Sequence, residues 1–169
     1  MPFLNELARS LKASSELSFR FLHGSPVLVG LGIAGYLSSN SMGPATMVVD
    51  FGDLETNATW SQRVFELRPS NDSASRGRVI TVGRTSATTI TINDFTVSRE
   101  QCAFHIEGEK YSITDIGSRN GTLVGTTLLR KTQTAVLTGG EVINFGRLSF
   151  EFLTPDGLFL RCQQVANAP

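Results

Sequence analysis

The spacing of hydrophobic positions changes twice along the first part of the chain. Leu4, Leu7 and Leu11, with Ala8 between them, recur at three and four residues, while Asn5, Glu6, Arg9 and Lys12 fall on other faces. That spacing predicts a short amphipathic helix over about residues 3–14. Leu17, Phe19 and Phe21 then alternate with Ser18 and Arg20, a period of two that predicts a strand. Residues 27–37 form the most apolar run, without alternation. The run is well short of the roughly 20 residues that cross a bilayer as a helix, so a buried strand or a glycine-rich packing segment is expected. Residues 38–44 read as a loop, 47–51 as a further short strand and 53–59 as polar and exposed.

From Ser61 onward the chain consists of short apolar runs at close spacing. Strands are expected at 64–67, 79–82, 90–92, 102–106, 111–115, 122–124, 127–129, 134–137, 141–145 and 148–153, with a polar loop at 70–77. About ten or eleven short strands, each with one apolar face, need a second sheet to cover that face, which predicts a mainly β sandwich. The expected organisation is an N-terminal extension over 1–60, holding the helix, the apolar segment and the polar loop. A β-sandwich over 61–154 and a C-terminal tail over 155–169 follow.

Composition then narrows the chemistry. The chain has 169 residues, 40% of them hydrophobic, enough for a real core. Fifteen Lys and Arg balance fifteen Asp and Glu, so no global field attracts a polyanion and nucleic acid is not an expected partner. A local basic patch can still grip a single phosphate. Cys102 and Cys162 are too few for a disulfide framework and lack zinc-ligand spacing; Cys102 reads as a small buried hydrophobe. His23 and His105 stand outside any metal-ligand or nucleophile pattern, and no G-x-S-x-G elbow, phosphate-cradling G-x-x-x-x-G-K loop or kinase signature occurs. Neither catalysis nor a metal or cofactor is expected. Arg9, Lys12 and Arg20 precede the apolar run as in a targeting segment. The leading stretch is long, carries Glu6 and Glu16 and has its own amphipathic order, which argues against a membrane and for the cytoplasm.

The remaining chemistry sits in three islands. Gly83-Arg84 closes a strand, so the arginine can stand at a sheet end. Val97-Ser98-Arg99 lies at a loop-to-strand junction, where a serine hydroxyl serves either its own turn or a ligand. Ser118-Arg119-Asn120-Gly121-Thr122 follows a Tyr-x-Ile-x-Asp strand, and its Asn-Gly pair suits a tight turn. A guanidinium offers paired donors to a phosphate dianion, and hydroxyls and backbone N–H groups complete the shell.

With these islands at this spacing, residues 61–154 resemble the forkhead-associated (FHA) family, which leaves 1–60 unmatched. The resemblance implies an FHA-like β-sandwich whose loops at one end bind phosphothreonine in an extended peptide. It assigns peptide binding to Arg84, Ser98, Arg99, Arg119 and Asn120. Arg84 holds the phosphate and Ser98 bonds it, Arg99 lies beside the phosphate or along the peptide, and Asn120 bonds the peptide backbone. Arg119 faces the phosphate or the positions after it, which would favour acidic groups there. Gly83, Gln101, Ser118, Gly121 and Thr122 support the loops. The family usually has histidine three residues after the serine, bracing the loops from beneath, and this chain has Gln101. Glutamine also donates and accepts hydrogen bonds, so either it takes over that bracing or the loops have drifted from phosphate binding.

The implied function is a non-catalytic phosphothreonine-dependent adaptor, with a Thr-phosphorylated protein as partner and a Ser/Thr protein kinase upstream. The alternative is a phosphate-independent structural or assembly subunit, docked to a membrane or larger complex, or self-associating, through residues 1–60. A third possibility is that Thr46, Thr56 or Thr59, once phosphorylated, occupies the chain's own site.

Overall fold

The computed structural model describes residues 1–33, 58–68 and 78–168. The expected loop at 38–44 and strand at 47–51 lie outside these residues, as do the loop at 70–77, most of the polar segment at 53–59, Thr46 and Thr56.

Among the described residues, eleven strands form two sheets. In chain order they are β1 (Val27–Ile33), β2 (Val64–Glu66), β3 (Arg78–Gly83), β4 (Ile90–Thr91), β5 (Cys102–Glu107) and β6 (Lys110–Asp115), then β7 (Thr122–Val124), β8 (Thr127–Leu129), β9 (Thr134–Leu137), β10 (Val142–Phe145) and β11 (Leu148–Leu153). One sheet has the order β2-β1-β11-β10-β7-β8 and the other β4-β3-β5-β6-β9. Leu28, Phe65, Phe150 and Phe152 from the first meet Ile80, Val82, Phe104 and Ile113 from the second in one core. Phe152 stacks on Phe104 with ring centroids 6.3 Å apart and meets Tyr111 at 5.5 Å. The expected mainly β sandwich is the observed fold.

The apolar run beginning at Val27 is the strand β1, and its lack of alternation has a simple cause. Leu28 packs into the sandwich core, while Val27 and Val29 pack outward against a second apolar cluster, so both faces of this strand are covered. Its partners are β11, with Val27 opposite Leu153, and β2, with Val27 opposite Glu66. The expected division at residue 60 therefore runs through the six-stranded sheet.

Three helices supply that outer cover: α1 (Leu4–Ala13), α2 (Glu16–Leu22) and α3 (Pro155–Ala166). The predicted first helix is present, and its Leu4, Leu7 and Ala8 are buried with Val64, Leu153, Leu158, Phe159 and Cys162. Its start is tied to β2, with Leu4 N–H donating to Gln62 O and Val64 N–H to Pro2 O.

Two expectations are corrected here. Residues 17–21 form a helix, not a strand. Ser15 Oγ caps it by accepting from Ser18 N–H at 3.2 Å, and Arg20 pairs with Glu16 one turn back. The alternation misleads because only Phe19 is buried, while Leu17 is 81% and Phe21 89% exposed. Residues 155–166 are likewise a packed helix rather than a tail. Thr154 Oγ1 accepts from Gly157 N–H, Pro155 occupies the first turn, and Leu158, Phe159 and Cys162 are buried. Burial pushes the Cys162 thiol up to about 11, which keeps it a neutral core group.

Candidate phosphopeptide cleft

The antiparallel registers bring the three sequence islands to one end of the sandwich. Val82 pairs with Cys102, and Cys102 pairs with Asp115. The end of β3, the start of β5 and the end of β6 are therefore neighbours, and β7 begins beside them. Arg84, Ser98, Arg99, Arg119 and Asn120 all line one groove of about 650 Å³, together with Phe95. Arg84 and Ser98 are half-buried, whereas Arg99, Arg119 and Asn120 are exposed.

Short bonds lock the loops to one another. Arg84 N–H donates to Ser98 O at 2.8 Å, and Thr85 Oγ1 donates to Arg99 O at 3.2 Å. Arg119 N–H donates to Ser98 Oγ at 2.9 Å. The hydroxyl thus acts as an acceptor within the protein and keeps its own proton for an acceptor in the groove. The Arg84 guanidinium makes a long contact, 3.4 Å, to Phe95 O. Arg130 Nη1 donates to Asn120 O at 3.2 Å and holds that loop from the side.

Gln101 lies beneath the groove, 2% exposed. Its Oε1 accepts from Ser98 N–H at 3.1 Å, and its Nε2 donates to Gly121 O and to Thr122 Oγ1, both at 3.0 Å. Both amide hydrogens and the carbonyl oxygen are used, linking the serine loop to the asparagine loop through one planar group. An imidazole has only two ring nitrogens.

Two glycines are dictated by space. A Cβ on Gly83 would collide with the carbonyl oxygen of Arg99, so a side chain there would push the two loops apart. Gly121 has φ +89°, and a Cβ there would come within 2.7 Å of Leu129 O.

Asp115 is a support residue that strand periodicity alone hides. Its buried carboxylate accepts from Gly117 N–H at 2.9 Å, Ser118 N–H at 3.0 Å, Ser118 Oγ at 2.5 Å and Thr122 Oγ1 at 2.8 Å. Burial alone would raise its pKa, but the bonds from Ser118, Gly117 and Thr122 outweigh that and hold the carboxyl below its ordinary value. The signal in the sequence is an acidic residue on the apolar phase of a strand end, two positions before a glycine. Burial, with Asp115 nearby, pushes the Cys102 thiol well up, in keeping with a neutral hydrophobe.

Asp94 is a second buried carboxylate, and it organises the loop before Ser98. Its Oδ1 accepts from Thr96 N–H and Thr96 Oγ1, while Arg147 Nε and Nη2 both donate to its Oδ2 at 3.1 Å. Burial would raise its pKa as well, and the Thr96 bonds followed by Arg147 bring it below the ordinary value. Among the described residues no group of three or more His, Cys, Asp or Glu could hold a metal ion, and no helix is long and apolar enough to cross a membrane.

A family model described as the FHA domain matches residues 80–146. The glycogen accumulation regulator GarA of Mycolicibacterium smegmatis is 36% identical over 72 residues, 43% of this chain and 44% of that protein. The oxoglutarate dehydrogenase inhibitor of Corynebacterium jeikeium is 35% identical over 71 residues, 42% of this chain and 47% of that protein. The matched stretch spans less than half the length of either relative. Among solved structures, the FHA domain of the CT664 protein from Chlamydia trachomatis aligns with TM-score 0.51 at 18% identity, covering 76% of this chain and 96% of that one. The FHA domain of an Arabidopsis thaliana hypothetical protein aligns with TM-score 0.52 at 21% identity, covering 79% of this chain and 87% of that one. With the sequence match over residues 80–146 and the backbone match over the sandwich, this part of the chain is a forkhead-associated domain.

Proposed function

We propose that the chain is a non-catalytic adaptor that binds a Thr-phosphorylated protein through this groove and so reads out a Ser/Thr protein kinase in the cytoplasm. The observation that carries the reading is the convergence of Arg84, Ser98 and Arg119 on one groove, with Asn120 beside them and Gln101 bonded to both loops beneath. A phosphate dianion there has a guanidinium and a free hydroxyl proton to meet it. Asn120, with its carbonyl taken by Arg130, keeps its side-chain amide for the peptide backbone. Gly83, Ser118, Gly121 and Thr122 shape and tie down the loops rather than touch the ligand. Gln101 takes over the bracing that a histidine usually gives.

Arg99 and Arg119 add positive charge beyond what one phosphate requires, which favours acidic residues near the phosphothreonine. The printed names of the relatives, a regulator and an inhibitor, fit a protein that acts by binding. The test is binding of a degenerate phosphothreonine library, beside unphosphorylated and phosphoserine versions, to the wild type and to Arg84→Ala. Selective binding of phosphothreonine, lost in the variant, is the expected result. Binding that ignores both phosphate and Arg84 would leave a phosphate-independent scaffold instead.

A further inference from the structure

Phe95 is exposed over 72% of its surface, yet it is held in place. A single exposed aromatic is ordinary on a protein surface. This one differs in what stands beneath it. The Arg147 guanidinium lies 4.7 Å from the ring centroid, and it is itself fixed by two bonds to Asp94 Oδ2, whose side chain is only 4% exposed. Asp94 is anchored in turn by Thr96, and Thr96 Oγ1 accepts from Arg147 N–H at 3.1 Å. The turn between β10 and β11 is thereby fastened to the loop that carries Phe95. The Phe95 carbonyl accepts from the Arg84 guanidinium, and Phe95 lines the same groove as Arg119 and Asn120.

We propose that Phe95 is a specificity-determining residue that selects an apolar side chain close to the phosphothreonine in the bound peptide. The inference rests on the phosphothreonine reading above. An aromatic ring whose position is set before binding buries apolar surface without first losing conformational freedom, which is what makes such residues strong contact points. The cation beneath one face draws on the ring's negative quadrupole, so the open face is a poor seat for a second cation. Arg84 repels a cation as well. What remains favourable on the open face is an aliphatic or aromatic side chain. Arg99 and Arg119, elsewhere on the rim, are free to prefer acidic groups at other positions of the same peptide.

A duller role for the ring is to shield the pair between Arg147 and Asp94 from water. The two roles separate in an oriented phosphothreonine peptide library, profiled position by position against the wild type, Phe95→Ala and Phe95→Leu, with the unfolding midpoint of each protein measured alongside. The expected result is a wild-type preference for apolar residues at one position near the phosphothreonine. Phe95→Ala should flatten that position alone and weaken the best peptide roughly tenfold, with phosphate dependence intact, and Phe95→Leu should restore part of the preference. A profile unchanged in Phe95→Ala, with or without a lower midpoint, overturns the proposal and leaves the phosphothreonine reading standing. No wild-type binding to any phosphothreonine peptide overturns both.

Discussion

At the cleft, three loops meet through hydrogen bonds; on the outer face of the six-stranded sheet, three helices meet through apolar side chains. Gln101, Asp115 and Asp94 each accept or donate at three or more points, and all three are buried. The helical layer instead joins Leu4, Leu7, Phe19, Leu158 and Phe159 over β1 and β11. Directional bonds fix where a group stands and are costly to leave unmade. Apolar burial is roughly proportional to area and tolerates small shifts of one surface on another. The molecule therefore places directional bonds at the cleft and apolar burial on the outer face of the six-stranded sheet.

The comparison breaks most visibly if the two regions are perturbed one at a time. Phe19→Ala removes a 2% exposed ring that packs 6.1 Å from Phe159. It is expected to lower unfolding free energy by about 3–5 kcal/mol in urea titrations, while the folded fraction keeps its phosphopeptide affinity. A changed affinity would mean that the layer and the cleft are coupled. Arg84→Ala should do the reverse, losing about 2–5 kcal/mol of phosphopeptide binding by calorimetry with an unmoved unfolding midpoint.

Gln101 is where the two properties meet. Gln101→Leu takes the side-chain partner from Ser98 N–H and Gly121 O, and leaves Thr122 Oγ1 with only its bond to Asp115. Stability is expected to fall by about 1–3 kcal/mol, and affinity with it, because the loops lose their common brace. Gln101→His should hold both properties within about 1 kcal/mol of the wild type, since an imidazole can still reach two of the three groups. Equal losses in the two variants would show that the full set of three bonds is required.

The smallest effect is acidic. Asp115 and Asp94 have folded-state pKa values below the ordinary 3.8, so each adds stability that is present above that pH and lost as the pH falls through the folded value. In amide spectra recorded from pH 5 downward, Gly117, Ser118 and Thr96 should move below pH 3.8 while α1 and α3 keep their signals. Simultaneous loss of both regions would contradict the division.

Much of this is legible in the sequence, and the reasons are local. Many short runs of period two at close spacing need a second sheet to cover their apolar faces, so the sandwich follows from their number and spacing from Ser61 onward. Arg84, Ser98 and the Asn120 turn carry their chemistry in residue type and in their distance along the chain. Asp115 reads in the sequence as a strand residue; its place on the apolar phase, two positions before a glycine, marks it for burial, but the groups that bond it are brought there only by the fold. Phe95 and Arg147 are 52 positions apart, 147 minus 95, and no pattern links them. The helix at 16–22 was misread since alternation reports two faces only when a neighbouring strand exists to bury one of them.

What the sequence determined by itself is the set of local choices: α1 from its spacing, the turns from their glycines, and the donors and acceptors that each island offers. Tertiary structure alone decided which of them meet. Antiparallel register brings Cys102 opposite both Val82 and Asp115, and that single geometric fact gathers residues 84, 98 and 119 at one sheet end. The same packing puts Val27 and Val29 under α1 and α3, turning an uninterrupted apolar run into a strand covered on both faces. Partner choice across a sheet depends on the summed burial and bonding of the whole sandwich, and no window of the chain contains that sum.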